Sequence, residues 1–76
     1  MRVDLAHMSR QQLEQAVAER CSRFGAVSQI VIMLDTEHPF ALAGVVMREP
    51  SEALALLRGM GGSMIQNTVL IRLEQV

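Results

Sequence analysis

His7 stands three residues after Asp4, and an imidazole beside a carboxylate could relay protons. Nothing around the pair marks a nucleophile or a substrate pocket, and neighbouring positions on a strand alternate faces. A structural or surface role for His7 is the plainer reading. Asp35, Glu37 and His38 are metal-ligand types in one short loop. They lack a second cluster, and His7 is distant in sequence, so a solvated turn fits them better than a metal site. Gly59-Met60-Gly61-Gly62-Ser63 has the composition of a phosphate-binding loop. Its polarity is wrong: such loops precede a helix and use its positive end, whereas these glycines follow one. A helix cap and turn is expected there. Cys21 is the sole cysteine and falls on an apolar helical stripe, so it reads as a small core residue with no intrachain disulfide available. With no catalytic set, cofactor loop or metal cluster, an enzyme is not expected.

The basic residues are more suggestive. All seven are Arg. Codon bias in a GC-rich genome accounts for that; so does a need for planar contacts to phosphates or bases. Arg2 lies beside the first strand-like run, Arg48 follows the third and Arg72 sits on the last. On a sheet face or its rim they could hold backbone phosphates, unless a carboxylate such as Asp4 pairs with one of them. Met33, Met47, Met60 and Met64 suit either an adaptable surface or core packing.

At 76 residues the chain is the size of one small domain, spanning residues 1–76. Half of it is hydrophobic, which argues against disorder. A net charge of −1 exerts no global pull toward nucleic acid or membrane. No apolar run approaches the roughly 20 residues that span a bilayer, and the first residues lack a signal-peptide pattern. A soluble, cytoplasmic protein is the expectation.

The elements that would position these residues alternate in type. Val3–Ala6 alternates like a short strand. Ser9 fits a helix N-cap with Gln12 as its capping-box partner. Leu13, Val17, Cys21 and Phe24 then recur at helical spacing, and Gly25 stops the helix. Arg20 also falls within that stripe, its stem along the core edge and its guanidinium in water. Gln29–Leu34 and Phe40–Met47 are β-rich runs around a polar loop at 35–39. Pro50 and Ser51 open a second helix, with Ala53, Leu56, Leu57 and Met60 on one face. Ser63–Thr68 reads as a connection to a last strand, Val69–Leu73.

The middle runs are apolar on both parities. Ile30/Ile32 and Val31/Met33 point to opposite faces, as do Leu42/Val46 and Ala43/Val45. A one-sided antiparallel sheet should instead alternate apolar and polar. Two helices cover one face only, so the other should present an apolar patch, and such patches mark partner sites.

Over nearly its whole length the chain resembles the RNA recognition motif. Phe24-Gly25 is similar to the aromatic-glycine pair that ends that family's first helix. The spacing back to His7 matches the family's strand-ending position, and Glu52-Ala53 looks like the start of its second helix. The resemblance implies a ferredoxin-like βαββαβ fold and a single-stranded RNA site on the helix-free sheet face. It maps the family's stacking aromatics onto Asp4, Leu42 and Gly44, and the basic residue of the longer motif onto Phe40. Stacking is worth about 1–3 kcal/mol per base, so losing two or three platforms would cost on the order of 3–6 kcal/mol. A register slip of one or two residues would bring Phe40 onto the outer face.

The expected architecture is therefore α+β: a four-stranded antiparallel sheet with two helices on one face. The expected function is non-catalytic binding without cofactor, metal or membrane, with single-stranded RNA as the first partner and a protein partner or self-association as the alternative. For single-stranded RNA the candidate residues are Arg2, Asp4, Leu42, Gly44, Arg48 and Arg72, in an Arg-dependent mode. For a protein partner or a second copy of the chain they are Ile30, Ile32, Leu42 and Val46.

Overall fold

The computed structural model describes residues 1–34, 37–38 and 40–76. Its elements run β1 (Arg2–Val3), α1 (Arg10–Cys21), a 3-10 turn (Ser22–Phe24), β2 (Val27–Leu34), β3 (Phe40–Met47), α2 (Pro50–Met60), β4 (Ser63–Ile65) and β5 (Thr68–Gln75). Of the expected loop at 35–39, Asp35, Thr36 and Pro39 lie outside the described residues.

Local chemistry explains both helices. The Ser9 hydroxyl accepts from the Gln12 amide at 3.1 Å, and the Gln12 side chain accepts from the Ser9 amide at 2.9 Å. That is the reciprocal capping box expected from the sequence. Leu13, Val17 and Cys21, four residues apart, are buried on one side of α1. In α2, Pro50 occupies the first turn, where its missing N–H costs nothing. Ala53 and Leu56 are buried, and Leu57 and Met60 pack partly against the same core.

The sheet order is β1-β5-β3-β2, with β4 also paired to β5. β2 and β5 flank β3 antiparallel, while β1 joins β5 in parallel. The α+β class with two helices on one sheet face therefore holds. The purely antiparallel four-stranded sheet does not: the sheet is mixed and has five strands. Two physical reasons account for the difference. β5 buries Val69, Ile71 and Leu73, whereas β1 buries Val3 alone, so β5 takes the interior position. Ser63–Thr68, read as a plain connection, folds back as a hairpin whose turn residue Gln66 takes a positive φ of 55°.

Register assigns the faces. Ala41, Ala43, Val45 and Met47 of β3 are buried, as are Val69, Ile71 and Leu73 of β5. They share one core with Leu13, Val17, Cys21, Ala53 and Leu56, so both helices cover the same side. Ile32 pairs with Ala43 and Ile30 with Val45, which places both isoleucines on that covered side. As candidates for the outer face, Ile30 and Ile32 are thus corrected: the β2 residues in phase with Leu42 and Val46 are Val31 and Met33.

The Phe24-Gly25 pair ties the two helices together. The Phe24 ring packs directly on Gly59 of α2, where a Cβ would overlap it. Gly25 takes φ 146°, a conformation L side chains rarely adopt. The Glu52 side chain lies against it. Its carboxylate accepts from the Ala26 amide at 3.1 Å and the Glu49 amide at 3.0 Å. The motif that carries the family resemblance is here a packing device.

Candidate binding face

The helix-free face is built from alternate residues of three long strands. β3 contributes Phe40, Leu42, Gly44 and Val46, β2 contributes Gln29, Val31 and Met33, and β5 contributes Thr68, Leu70, Arg72 and Glu74. Val31 is 47% and Met33 42% exposed, so no described residue covers them fully. Leu42, Val46 and Leu70 are half-buried. Gly44 leaves no hole: Thr68, Leu70 and Met33 carbons lie 3.4–3.8 Å from where its Cβ would sit. On the β4 hairpin, Ile65 is aligned with Thr68 and 58% exposed. The centre of the face is thus continuous and apolar.

Charge collects at one end. The Arg72 guanidinium carbon lies 4.0 Å from the centroid of the Phe40 ring. The His38 ring sits 5.2 Å from the same ring, tilted by 52°. Arg72 Nε is 3.8 Å from a Glu74 carboxylate oxygen, and both side chains are more than half exposed. Arg2 is aligned with Glu74 on the neighbouring strand.

The remaining candidates are dispersed. Arg48 follows β3 at the far end, six positions beyond Leu42, whose partner is Arg72. At strand rise that is about 20 Å from the Phe40 cluster. It lines a separate groove with Met47, Leu54, Met64, Gln66 and Asn67. Asp4 lies outside the face, in the turn after β1, where Gln75 Nε2 donates to it at 3.1 Å and His7 Nδ1 sits 2.9 Å away. The Gln75 amide, and then His7, hold its carboxyl below the ordinary carboxylate range. Asp4 and His7 thus do meet, on an exposed turn. The Gln75 side-chain oxygen accepts from the Ala6 amide at 2.9 Å, so this cluster fastens the two ends of the chain. Cys21 is fully buried, and burial raises its thiol pKa. Arg20 is exposed beside Met1, Val3 and Met8 in a shallow groove over α1.

Val31, Leu70 and Ile65 belong to the face but fall outside the candidate binding residues read from the sequence, and Met33 stands there only as a methionine suited to a surface or a core. Period-2 alternation marks each as one of two phases. Choosing the phase requires the pairing partner.

Among the described residues, no group of three or more His, Cys, Asp or Glu could hold a metal ion. No helix is long and apolar enough to cross a membrane. The chain matches no protein-family model, no curated protein and no solved structure.

Proposed function

We propose that this chain is a non-catalytic binding module whose working surface is the helix-free sheet face, and that the occupant is an apolar surface of a protein. One observation carries the reading: Val31, Met33, Leu42 and Leu70 form an apolar patch around Gly44 on the face opposite the helices, with Val46 beyond it between Gln29 and Thr68. Patches of this kind on small domains mark interaction sites, and the interior of the patch lacks charge, as interface cores do. The test is a photo-crosslinking amino acid placed at Leu42 or at Gln15 on the opposite side. Protease-sensitive adducts from position 42, lost when Val46 becomes Asp, support the reading. Equal labelling from position 15 refutes it.

A second reading has its own observation. Phe40, His38 and Arg72 cluster at one end of the face, and an aromatic ring with an adjacent guanidinium suits a single-stranded RNA base and its phosphate. The element order matches that of a divergent RNA recognition motif with the β4 strand added, although β1 joins the sheet in parallel and not antiparallel. With Arg2 and Arg72 as the phosphate contacts, affinity would be low and salt-sensitive. Titration against single-stranded RNA pools at low salt tests it; no binding at about 100 μM protein removes it.

A further inference from the structure

β2 is the open edge of the sheet. It pairs with β3 along Val27–Leu34, and among the described residues no strand lies on its other side. The far edge differs, because β1 and β4 both cover β5 there. An unpaired edge offers main-chain donors and acceptors to any extended strand, and proteins protect such edges with charge, proline or bulges. Val27–Leu34 reads Val-Ser-Gln-Ile-Val-Ile-Met-Leu, without a charge or a proline. Its one irregularity lies at the start, between Val27 and Gln29. Its second half is exposed on both faces: Val31 by 47%, Met33 by 42% and, on the helix side, Leu34 by 50%.

Among the described residues, a contact from α1 guards this edge. Arg10, in the first turn of α1, donates from Nη1 to the main-chain carbonyl of Ile32. The donor comes from outside the β2–β3 ladder, so this carbonyl belongs to the set turned toward the free side.

We propose that the β2 edge pairs antiparallel with β2 of a second copy of this chain, and that Arg10 restrains the pairing by occupying the Ile32 carbonyl. The open ladder calls for an extended strand, and its flanking side chains call for one that is apolar and uncharged. β2 is itself such a strand, and it is free on one side. A two-fold axis at Ile32 sets Val31 against Met33 of the other copy and Ile30 against Leu34. All five positions from Ile30 to Leu34 then meet apolar partners, and the three exposed side chains are buried. A single strand pair is smaller than a standard interface of about 800 Å² per partner, so the dimer is weak and reversible. The pairing runs through the β2 main chain, while Val31 and Met33 flank it and also belong to the sheet face proposed above.

Sedimentation equilibrium on the full chain, with hydrogen exchange at low and high protein concentration, tests this. Arg10→Met keeps the apolar stem and removes the donor; its dimer should be about tenfold tighter than that of the unmodified chain. Leu34→Lys places a charge on the edge and leaves the outer face untouched; it should be monomeric. In the unmodified chain, amide protection at Ile30, Ile32 and Leu34 should rise with concentration. Monomers throughout for both the unmodified chain and R10M, with no such rise, overturn the proposal. So does a dimer that persists in L34K and is lost in Leu42→Asp, which would place self-association on the outer face.

Discussion

Arg72 stacks its guanidinium on the Phe40 ring, 4.0 Å from ring centroid to guanidinium carbon, diagonally across the β3–β5 ladder. The pair fills the one aromatic position of the outer face from within the chain. It also explains why a long cation sits on an otherwise apolar surface: the ring quadrupole and Glu74 both attract it. A partner that needs the ring must first move Arg72.

A double-mutant cycle with Phe40→Leu and Arg72→Ala measures this contact. The expected coupling in urea unfolding is about 0.5–1 kcal/mol, the range for exposed cation–π pairs. Phe40→Leu should also change RNA titrations if the ring is a base platform. Coupling within error of zero would show that Arg72 is held by Glu74 or solvent instead.

Gly59 presents two opposing effects. By helix propensity alone, Gly59→Ala in α2 should gain about 1 kcal/mol. The Phe24 ring occupies the space a Cβ needs, and overpacking costs about 1–3 kcal/mol. The ring is half-buried between the helices, so the steric effect should win and G59A should destabilise. In a Phe24→Leu background the same substitution should turn neutral or stabilising. An equal loss in both backgrounds would refute the contact.

Asp4 predicts a pH-dependent chain end. Its carboxyl pKa is lowered, first by the Gln75 side-chain amide and then by His7. A depressed carboxylate contributes stability above its unfolded pKa, about 3.9, and loses it as pH falls through the lower folded value. The tie between the Asp4 turn and Gln75 should therefore be intact at neutral pH and weaken only below about pH 4. Asp4→Asn should remove that dependence, leaving the Ala6 amide equally protected on either side of the transition. Nuclear magnetic resonance titration of the Asp4 carboxyl, with exchange at Ala6, checks both. A carboxyl titrating in the ordinary range would refute the arrangement.

The elements themselves were legible because their signals are local. Ser9 with Gln12 starts α1, the Leu13–Val17–Cys21 stripe faces it inward, and Pro50 starts α2. Phe40–Met47 is bounded as a strand by its own composition. The β4 hairpin escaped because Ser63–Ile65 is too short to show a period, and its pairing depends on the turn at Gln66. Ile30 and Ile32 were assigned to the wrong side for a related reason. Both phases of β2 are apolar, so composition does not distinguish core from surface, and only alignment with Ala43 and Val45 does.

Residue order alone therefore determined where the two helices and the three long strands lie, how α1 is capped, and that the sheet has more apolar surface than two helices can cover. These are short-range matters of propensity, capping and period. Tertiary pairing decided the rest: that β5 rather than β1 lies inside the sheet, that Val31 and Met33 share a surface with Leu42, and that Arg72 rests on Phe40. Each of those depends on the relative phase of strands far apart in sequence, and the competition among strands for the buried interior position sets that phase.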